Sequence, residues 1–280
     1  MNATPISLFR HYLNALLRQG VLRTPLTDEA RLVLRSWYIA AKQGKTHTPD
    51  TKHPTKPPQP KQVLSTTIKL PEGSKEERLR YLRELAQNWS PARDLHTLRN
   101  TMVFATGSPH AELMLIGEAP GYYEELQQEP FVGRAGEKLN QILKAMGLSR
   151  DLVYISNIVK FRPAIPNQKT NNRAPSREEI DACLPIIMNE IQVIQPKMIL
   201  ALGGTAAEGL LGLQASVSSL RGRFHDLHGI PVRITYHPSY LLRSDSPKEK
   251  RKVWEDMLSI MERLNIPISE KQRTFFLPKK

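Results

Sequence analysis

The sequence has a single cysteine, Cys183, among 280 residues. This excludes an internal disulfide framework and is typical of proteins from reducing compartments. No segment approaches the roughly 18 consecutive apolar residues that a membrane-spanning helix needs. The first residues include Arg10, His11 and Arg18 without a sustained apolar run, which argues against a signal peptide. We therefore expect a cytoplasmic protein that does not insert into membranes.

Apolar residues make up only 40% of the chain, so part of it is expected to lie outside a packed core. Positive charge, by contrast, is abundant, because 40 Lys and Arg residues outnumber 27 Asp and Glu and give a net charge of +13. A surplus of this size predicts a polyanionic partner, and nucleic acid before a membrane surface. A basic surface without any specific partner is the alternative.

Composition divides the chain into three parts. Residues 1–42 carry apolar side chains at helical spacing and predict an N-terminal helical segment. Residues 43–64 are rich in proline and lysine and predict a semi-extended linker, whose lysines could contact phosphates or simply be solvated. Residues 65–280 alternate between short apolar strands and longer helical patterns and are predicted to form one α/β domain. The N-terminal segment could recruit a protein partner, and we expect a monomer.

The fold class follows from four apolar strands separated by helices. Such an alternation predicts a three-layer α/β/α sandwich around a central, mainly parallel four-stranded sheet, here with the small helical extension at the N-terminus. The predicted strands are 113–117, 153–159, 197–202 and 232–236. Ligands of such sheets bind outside the carboxyl ends of the strands. Glu118, Asn157 and His237 all stand at or just past those ends, so we expect them at one site.

A carboxylate and an aromatic ring come from the first part of this site. Glu118 enters a turn formed by Pro120 and Gly121, where it could orient a water or stabilise positive charge on a sugar. A structural salt bridge or helix cap is the alternative for Glu118. Phe131 lies in a loop before a helix, where its ring could stack on a base or simply fill core.

An amide and an imidazole complete the set. Asn157 ends a strand and offers both a donor and an acceptor, which matches the edge of uracil, although a structural hydrogen bond to backbone would also explain it. His237, followed by Pro238, could donate to a carbonyl oxygen that gains negative charge as a base departs, or it could be structural. On an exposed loop beside Arg243, Leu241 and Leu242 would suit a wedge pushed into a base stack, whereas buried leucines would belong to the core.

Four separated motifs resemble the family 4 uracil-DNA glycosylases over about residues 80–265. They are Gly117–Gly121, Pro130–Gly136, Ser156–Lys160 and His237–Leu242. The resemblance implies that Phe131 stacks on a flipped uracil, that Asn157 recognises its edge and that His237 contacts its O2. It implies a catalytic role for Glu118 beside His237, and base contacts from Ala119, Gly121 and Glu124, the last excluding the thymine methyl group. It also implies DNA contacts from Arg134, Ser239, Leu241, Leu242 and Arg243.

One departure from the family concerns its iron–sulfur cluster, which is usually held by four cysteines. Alignment with the family's pattern places Ser90, Arg93 and Phe161 where three of those cysteines stand, and leaves only Cys183. Because such clusters normally need four thiolates, we expect no cluster and no other metal or cofactor, with Cys183 a vestige and Phe161 filling the vacated volume. A second departure is the long segment 164–172, which follows Asn157 and could shape the pocket or contact DNA.

The sequence thus predicts a monofunctional uracil-DNA glycosylase that flips uracil out of DNA and hydrolyses its N-glycosidic bond. A glycosylase for other deaminated bases, such as hypoxanthine or xanthine, is one alternative. The other is a DNA-binding module without catalytic activity. Release of a free base distinguishes the enzymes from the module.

Overall fold

The computed structural model describes residues 68–244 and 246–277. The predicted N-terminal helical segment and the linker lie outside the described residues, and the boundaries at residues 42 and 64 stay predictions. None of the helices in the described ranges is long and apolar enough to cross a membrane.

Helices and strands alternate along residues 75–273. The α-helices are α1 (Lys75–Gln87), α2 (Ser90–Arg93), α3 (Tyr122–Gln127), α4 (Arg134–Met146), α5 (Arg177–Ile194), α6 (Gly204–Leu211), α7 (Val217–Leu220), α8 (Pro238–Arg243), α9 (Pro247–Arg263) and α10 (Glu270–Arg273). The strands are β1 (Leu98–Met102), β2 (Ala105–Gly107), β3 (Leu113–Gly117), β4 (Tyr154–Asn157), β5 (Phe161–Pro163), β6 (Met198–Leu202), β7 (Phe224–Leu227) and β8 (Ile230–Thr235). A short 3₁₀-helix, Arg150–Leu152, precedes β4.

The central sheet contains the four predicted strands, which are parallel to one another in the order β4-β3-β6-β8. The predicted number of strands was wrong, because among the described residues this sheet has six. Antiparallel strands β2 and β7 extend it at its two edges, and β1 and β5 form a separate antiparallel pair. The additional strands are too short to show a clear alternating pattern: β2 has three residues and β7 has four.

The β7–β8 hairpin did carry a sequence signal. His228 and Gly229 connect the two strands with φ angles of 51° and 87°. Two consecutive residues with positive φ are the signature of the type I′ turn, whose twist matches that of the paired strands. The glycine of the His-Gly dipeptide is the residue in the sequence that favours a hairpin at this place.

Helices cover both faces of the sheet, which confirms the three-layer α/β/α sandwich. Successive residues of a strand point to opposite faces. On β3, Met114 and Ile116 belong to a core cluster with α1, α5 and α6, whereas Leu113 and Leu115 belong to one with α4 and α9. The central strands β3 and β6 are apolar along their whole length because neither face of the sheet is open to water there.

Side-chain caps set the starts of α1 and α5, two of the helices on the first of these faces. The side chains of Ser74 and Ser176 each accept from the backbone N–H three residues later. The side chains of Glu77 and Glu179 in turn accept from the backbone N–H of the capping serine. Both capping boxes agree with the sequence pattern. Ser246 precedes α9 in the same way but makes no side-chain cap bond, and Glu249 instead pairs with Lys252.

Candidate active site at the carboxyl ends of the parallel strands

The carboxyl ends of three of the parallel strands, β3, β4 and β8, open into a cavity of about 510 Å³. Glu118 follows β3, Asn157 ends β4 and His237 follows β8, and all three line the cavity. The expectation that they share one site is thus met by the geometry. Other predicted site residues also line it: Ala119, Gly121, Glu124, Phe131, Ser239 and Arg243.

Gly117, the last residue of β3, brings the aromatic ring and the amide together. It pairs directly with Asn157 across the parallel strands. A Cβ built on Gly117 would lie 2.4 Å from Asn157 Oδ1 and 2.5 Å from Phe131 Cζ. No side chain fits there, so glycine allows the ring edge and the amide oxygen to meet over the strand end. Asn157 is only 2% exposed, yet its side chain faces the cavity.

His237 lies on the other side of Phe131. The two ring centroids are 5.6 Å apart, with 32° between the ring planes. Gly203, at the end of β6, makes room for the imidazole, since its Cβ would approach His237 Cβ to 3.2 Å. Gly203 also has φ 101°, a conformation that other residues rarely adopt.

The protonation state of His237 follows from its neighbours. The Ser239 backbone N–H donates to His237 Nδ1 at 3.2 Å, and Ser239 Oγ lies 2.8 Å from the same atom. An Nδ1 that accepts a hydrogen bond is unprotonated, so the proton of the neutral ring is on Nε2. Burial, together with the charge of Arg243, lowers the pKa of His237 to about 4. The ring is therefore a neutral hydrogen-bond donor at physiological pH.

Glu118 is held by a residue that sequence analysis missed. Thr205 Oγ1, in the first turn of α6, donates to Glu118 Oε2 at 2.6 Å. This bond fixes one carboxylate oxygen and leaves the other oxygen as an acceptor. Thr205 is 87 residues away from Glu118, so local sequence carried no signal for the pairing.

Two polar side chains flank Gly121, the residue that precedes α3. A Cβ there would lie 2.8 Å from Glu124 Oε2 and 2.9 Å from Asn172 Nδ2. The other Glu124 oxygen, Oε1, accepts from the backbone N–H of Gly133 at 3.2 Å. Asn172 lines the cavity together with Arg173, so the expectation that segment 164–172 could shape the pocket agrees with this position.

Arg162 holds the residues on that side of the cavity in place through hydrogen bonds. Its Nε donates to Asn172 Oδ1 at 2.8 Å, and its Nη2 donates to the carbonyl oxygens of both Lys169 and Asn171. It also pairs with Glu125 of α3 at 2.9 Å, and only 2% of its side chain is exposed. One buried guanidinium thus ties the long segment to the helix that carries Glu124.

The predicted DNA contacts fall into two groups. Ser239 and Arg243 line the cavity. Arg134, the first residue of α4, is exposed but is not among the described residues that line it. Leu241 and Leu242 were expected on a loop but lie on helix α8, because Pro238 begins a helical turn there. Leu241 is buried against α4 and α9, which favours its core interpretation, and Leu242 is 38% exposed.

The residues at the four cysteine positions do not fit an iron–sulfur cluster. Phe161 is 1% exposed, and the Arg93 guanidinium lies over its ring at 4.3 Å from the centroid. Cys183 packs in the same core cluster, where burial raises the pKa of its thiol to about 11. In the described part of the chain no group of three or more His, Cys, Asp or Glu side chains is placed to hold a metal ion.

Comparison with known proteins agrees with this geometry. The sequence model of the uracil DNA glycosylase superfamily matches residues 104–258. The type-4 uracil-DNA glycosylase of Thermotoga maritima is 41% identical over 165 residues, which cover 58% of this chain and 83% of that protein. The type-4 enzyme of Pyrobaculum aerophilum is 37% identical over 173 residues, 59% of this chain and 85% of that protein. The type-4 enzyme of Archaeoglobus fulgidus is 34% identical over 165 residues, which cover 56% of this chain and 80% of that protein.

An α/β/α sandwich with a polar cavity at its strand ends defines a ligand-binding α/β protein. The matches specify it further: the chain belongs to the uracil DNA glycosylase superfamily. The matched region contains Glu118, Phe131, Asn157 and His237, and it excludes the first hundred residues.

Proposed function

We propose that this protein is a monofunctional uracil-DNA glycosylase, which removes uracil from DNA by hydrolysis and leaves an abasic site. The observation that carries the proposal is the meeting of Phe131, Asn157 and His237 at the carboxyl ends of β4 and β8, beside Glu118. A flat ring, an amide with both a donor and an acceptor, and a neutral imidazole donor are together suited to one pyrimidine. The superfamily membership supports the same activity.

Base recognition requires the nucleotide to leave the helix, at a cost of a few kcal/mol. Phe131 stacks on the flipped base, and such stacking is typically worth about 1–3 kcal/mol. Asn157 exchanges two hydrogen bonds with the N3–H and O4 edge of uracil. Glu124 and the narrow space at Gly121 exclude a methyl group at C5. The ordinary bases of DNA are rejected because they lack this edge or carry that methyl group.

The bond between C1′ and N1 then breaks, with both electrons moving to the base. Negative charge grows on uracil O2, and His237 Nε2–H stabilises it by donating a hydrogen bond. Glu118 supports the cationic sugar and directs a water onto C1′. The water oxygen bonds to C1′, its proton passes to the Glu118 carboxylate, and uracil later takes up a proton from solvent. No lysine is among the described residues that line the cavity, so we expect no Schiff base and no strand cleavage.

Catalysis by this site needs no iron–sulfur cluster, and we infer that the protein carries none. The Arg93–Phe161 contact and the buried Cys183 thiol support this inference, because an aromatic ring and a guanidinium stand at two of the aligned positions and neither supplies a thiolate. The proposed role for residues 1–42 remains recruitment of a protein partner, and a monomer remains the expected state. DNA itself would bind through phosphate contacts near Arg134, Arg243 and Leu242, with the salt dependence that counterion release causes.

Release of free uracil from a uracil-containing oligonucleotide tests the proposal. We expect release by the wild-type protein and about a 100-fold slower rate for Asn157→Ala. Asn88→Ala, at the exposed end of α1, is the matched control and should retain activity. Parallel substrates with hypoxanthine and xanthine test the alternative glycosylases. Binding to DNA without release of any of the three bases would contradict the proposal and favour the non-catalytic module.

A further inference from the structure

Phe131 holds its ring in place with a backbone conformation that its residue type disfavours. Its φ angle is 56°, in the left-handed region. For a bulky residue such as phenylalanine this conformation is rare and costs about 1–3 kcal/mol. Such strain persists only where surrounding contacts determine it, so neighbouring groups must hold the 129–131 segment.

Arg150 supplies those contacts from the 3₁₀-helix before β4. Its guanidinium donates to the carbonyl oxygens of Pro130 at 2.7 Å and Phe131 at 3.1 Å. It also pairs with the Glu129 carboxylate at 2.8 Å and with Asn140 Oδ1 at 3.2 Å. One fork of donors thus contacts three consecutive residues of the segment, a geometry that a lysine ammonium does not reproduce. Its side chain is 24% exposed, so solvent screens these bonds only in part.

Gly136 closes the opposite side of the same segment. A Cβ built on Gly136 would lie 1.7 Å from the Phe131 carbonyl oxygen. Helix α4 therefore approaches the Phe131 backbone as closely as atoms allow. The carbonyl that Arg150 holds cannot move toward the helix, and the ring projects to Gly117, Asn157 and His237.

We propose that Arg150 is a positioning residue for base stacking: it fixes the strained Phe131 backbone and thereby the plane on which the base lies. Arg150 is not among the described residues that line the cavity, so it acts through Phe131. The inference rests on the proposed function, because it assigns Arg150 to the same base pocket. It adds a residue outside the four motifs, at Arg150, to the machinery of the reaction.

A double-mutant cycle tests this coupling. Single-turnover release of uracil is measured for the wild type, Arg150→Ala, Phe131→Ala and the double variant, well below their melting temperatures. We expect Arg150→Ala to slow release about tenfold, since small misplacements of positioned groups cost such factors, and to add nothing once Phe131 is already alanine. Arg177→Ala, an exposed arginine paired with Asp181 and Glu208, is the matched control and should leave the rate unchanged. Equal losses from Arg150→Ala in both backgrounds would overturn the inference.

A second measurement does not depend on the substrate. Hydrogen–deuterium exchange of the peptide spanning 128–133 should accelerate about tenfold or more in Arg150→Ala and less in Arg150→Lys, while peptides of β3 and β6 stay unchanged. If the wild type released no uracil but the two variants showed this exchange pattern, the proposed substrate would be contradicted and the positioning role would be supported. Unchanged exchange in this peptide for both variants would overturn the positioning role even in an active enzyme.

Discussion

The base pocket and the Phe161 region (Ser90, Arg93, Phe161 and Cys183) lie close together in the same domain but use different interactions. In the pocket, polar groups from three strand ends converge on one cavity. In the Phe161 region, an aromatic ring, a guanidinium and a buried thiol fill space. The difference shows that directional chemistry restricts a site more tightly than volume does. Under the proposed function, packing replaces a structural group in the Phe161 region, whereas hydrogen bonds to a reacting base require particular atoms in the pocket.

Strand β5 connects the two regions. Phe161 packs under Arg93, and its neighbour Arg162 binds Asn172 and Glu125 at the pocket. Because successive strand residues point to opposite sides, a change at Phe161 need not disturb the contacts of Arg162. For this reason the pocket can keep its geometry whichever side chain occupies position 161.

Replacement of His237 should give the largest effect in the pocket. His237→Ala removes the donor to uracil O2, and we expect the single-turnover rate to fall about 100- to 1,000-fold. The melting temperature should fall only modestly, because the variant loses the Nδ1 bond that caps α8 but leaves the space open to the cavity. His110→Ala, which removes an exposed histidine paired with Glu76, serves as the control. A loss below threefold would assign His237 a structural role.

Replacement of Phe161 should affect stability and spare the chemistry. Phe161→Ala leaves a cavity in the core, and we expect the free energy of unfolding to fall by about 3–5 kcal/mol in urea titrations. The rate of uracil release from the folded variant should stay within about twofold of the wild type. A large rate loss in a variant that is still folded would break the comparison, because the two regions would then be coupled.

Arg162 sharpens the comparison, since it belongs to β5 but serves the pocket. Arg162→Lys keeps the charge and loses the fork that holds Asn172 and the Lys169 and Asn171 carbonyls. We expect kcat/KM to fall about tenfold, with a smaller change in stability than for Phe161→Ala. The variant would contradict this account if it kept full kcat/KM while it lost as much stability as Phe161→Ala.

The smallest expected effect is in the pH dependence of the single-turnover rate, which should lack the inflection that an ordinary histidine would cause. The pKa of His237 is about 4, so the ring stays neutral through the pH range where an ordinary histidine titrates. The single-turnover rate should show no His237 step near pH 6.5 and should lose the neutral donor form only near pH 4. A step near 6.5 that disappears in His237→Asn would show that the imidazole titrates normally.

The same shift has a consequence for stability. Between about pH 4 and 6.5 the unfolded chain binds the His237 proton more strongly than the folded one. Stability is therefore lost as the pH falls through this window and is fully present above it. Urea unfolding of the wild type and His237→Asn at several pH values measures this contribution.

Much of the architecture could be predicted because it is encoded locally. Strands β3 and β6 are continuous apolar runs, the helices after Ser74 and Ser176 begin with capping boxes, and parallel topology then places the strand-end residues at one edge. The orientation of Leu241 could not be predicted, since it depends on whether the segment after Pro238 is a loop or a helix.

The supporting residues were missed for a different reason. Thr205, Arg150 and Arg162 meet their partners across 7 to 87 positions of sequence, through side-chain atoms whose directions only the folded chain sets. Positions such as these have no periodic pattern and no motif. The groups proposed to contact the base are therefore easier to predict from sequence than the groups that hold them.

The central claim is that the pocket works without an iron–sulfur cluster, and it is tested most directly by measuring iron content and uracil release on one purified sample. We predict uracil release with no bound iron or sulfide, at a rate that neither iron reconstitution nor a chelator changes. A stoichiometric cluster in the active fraction, or release that appears only after iron is supplied, would contradict the account.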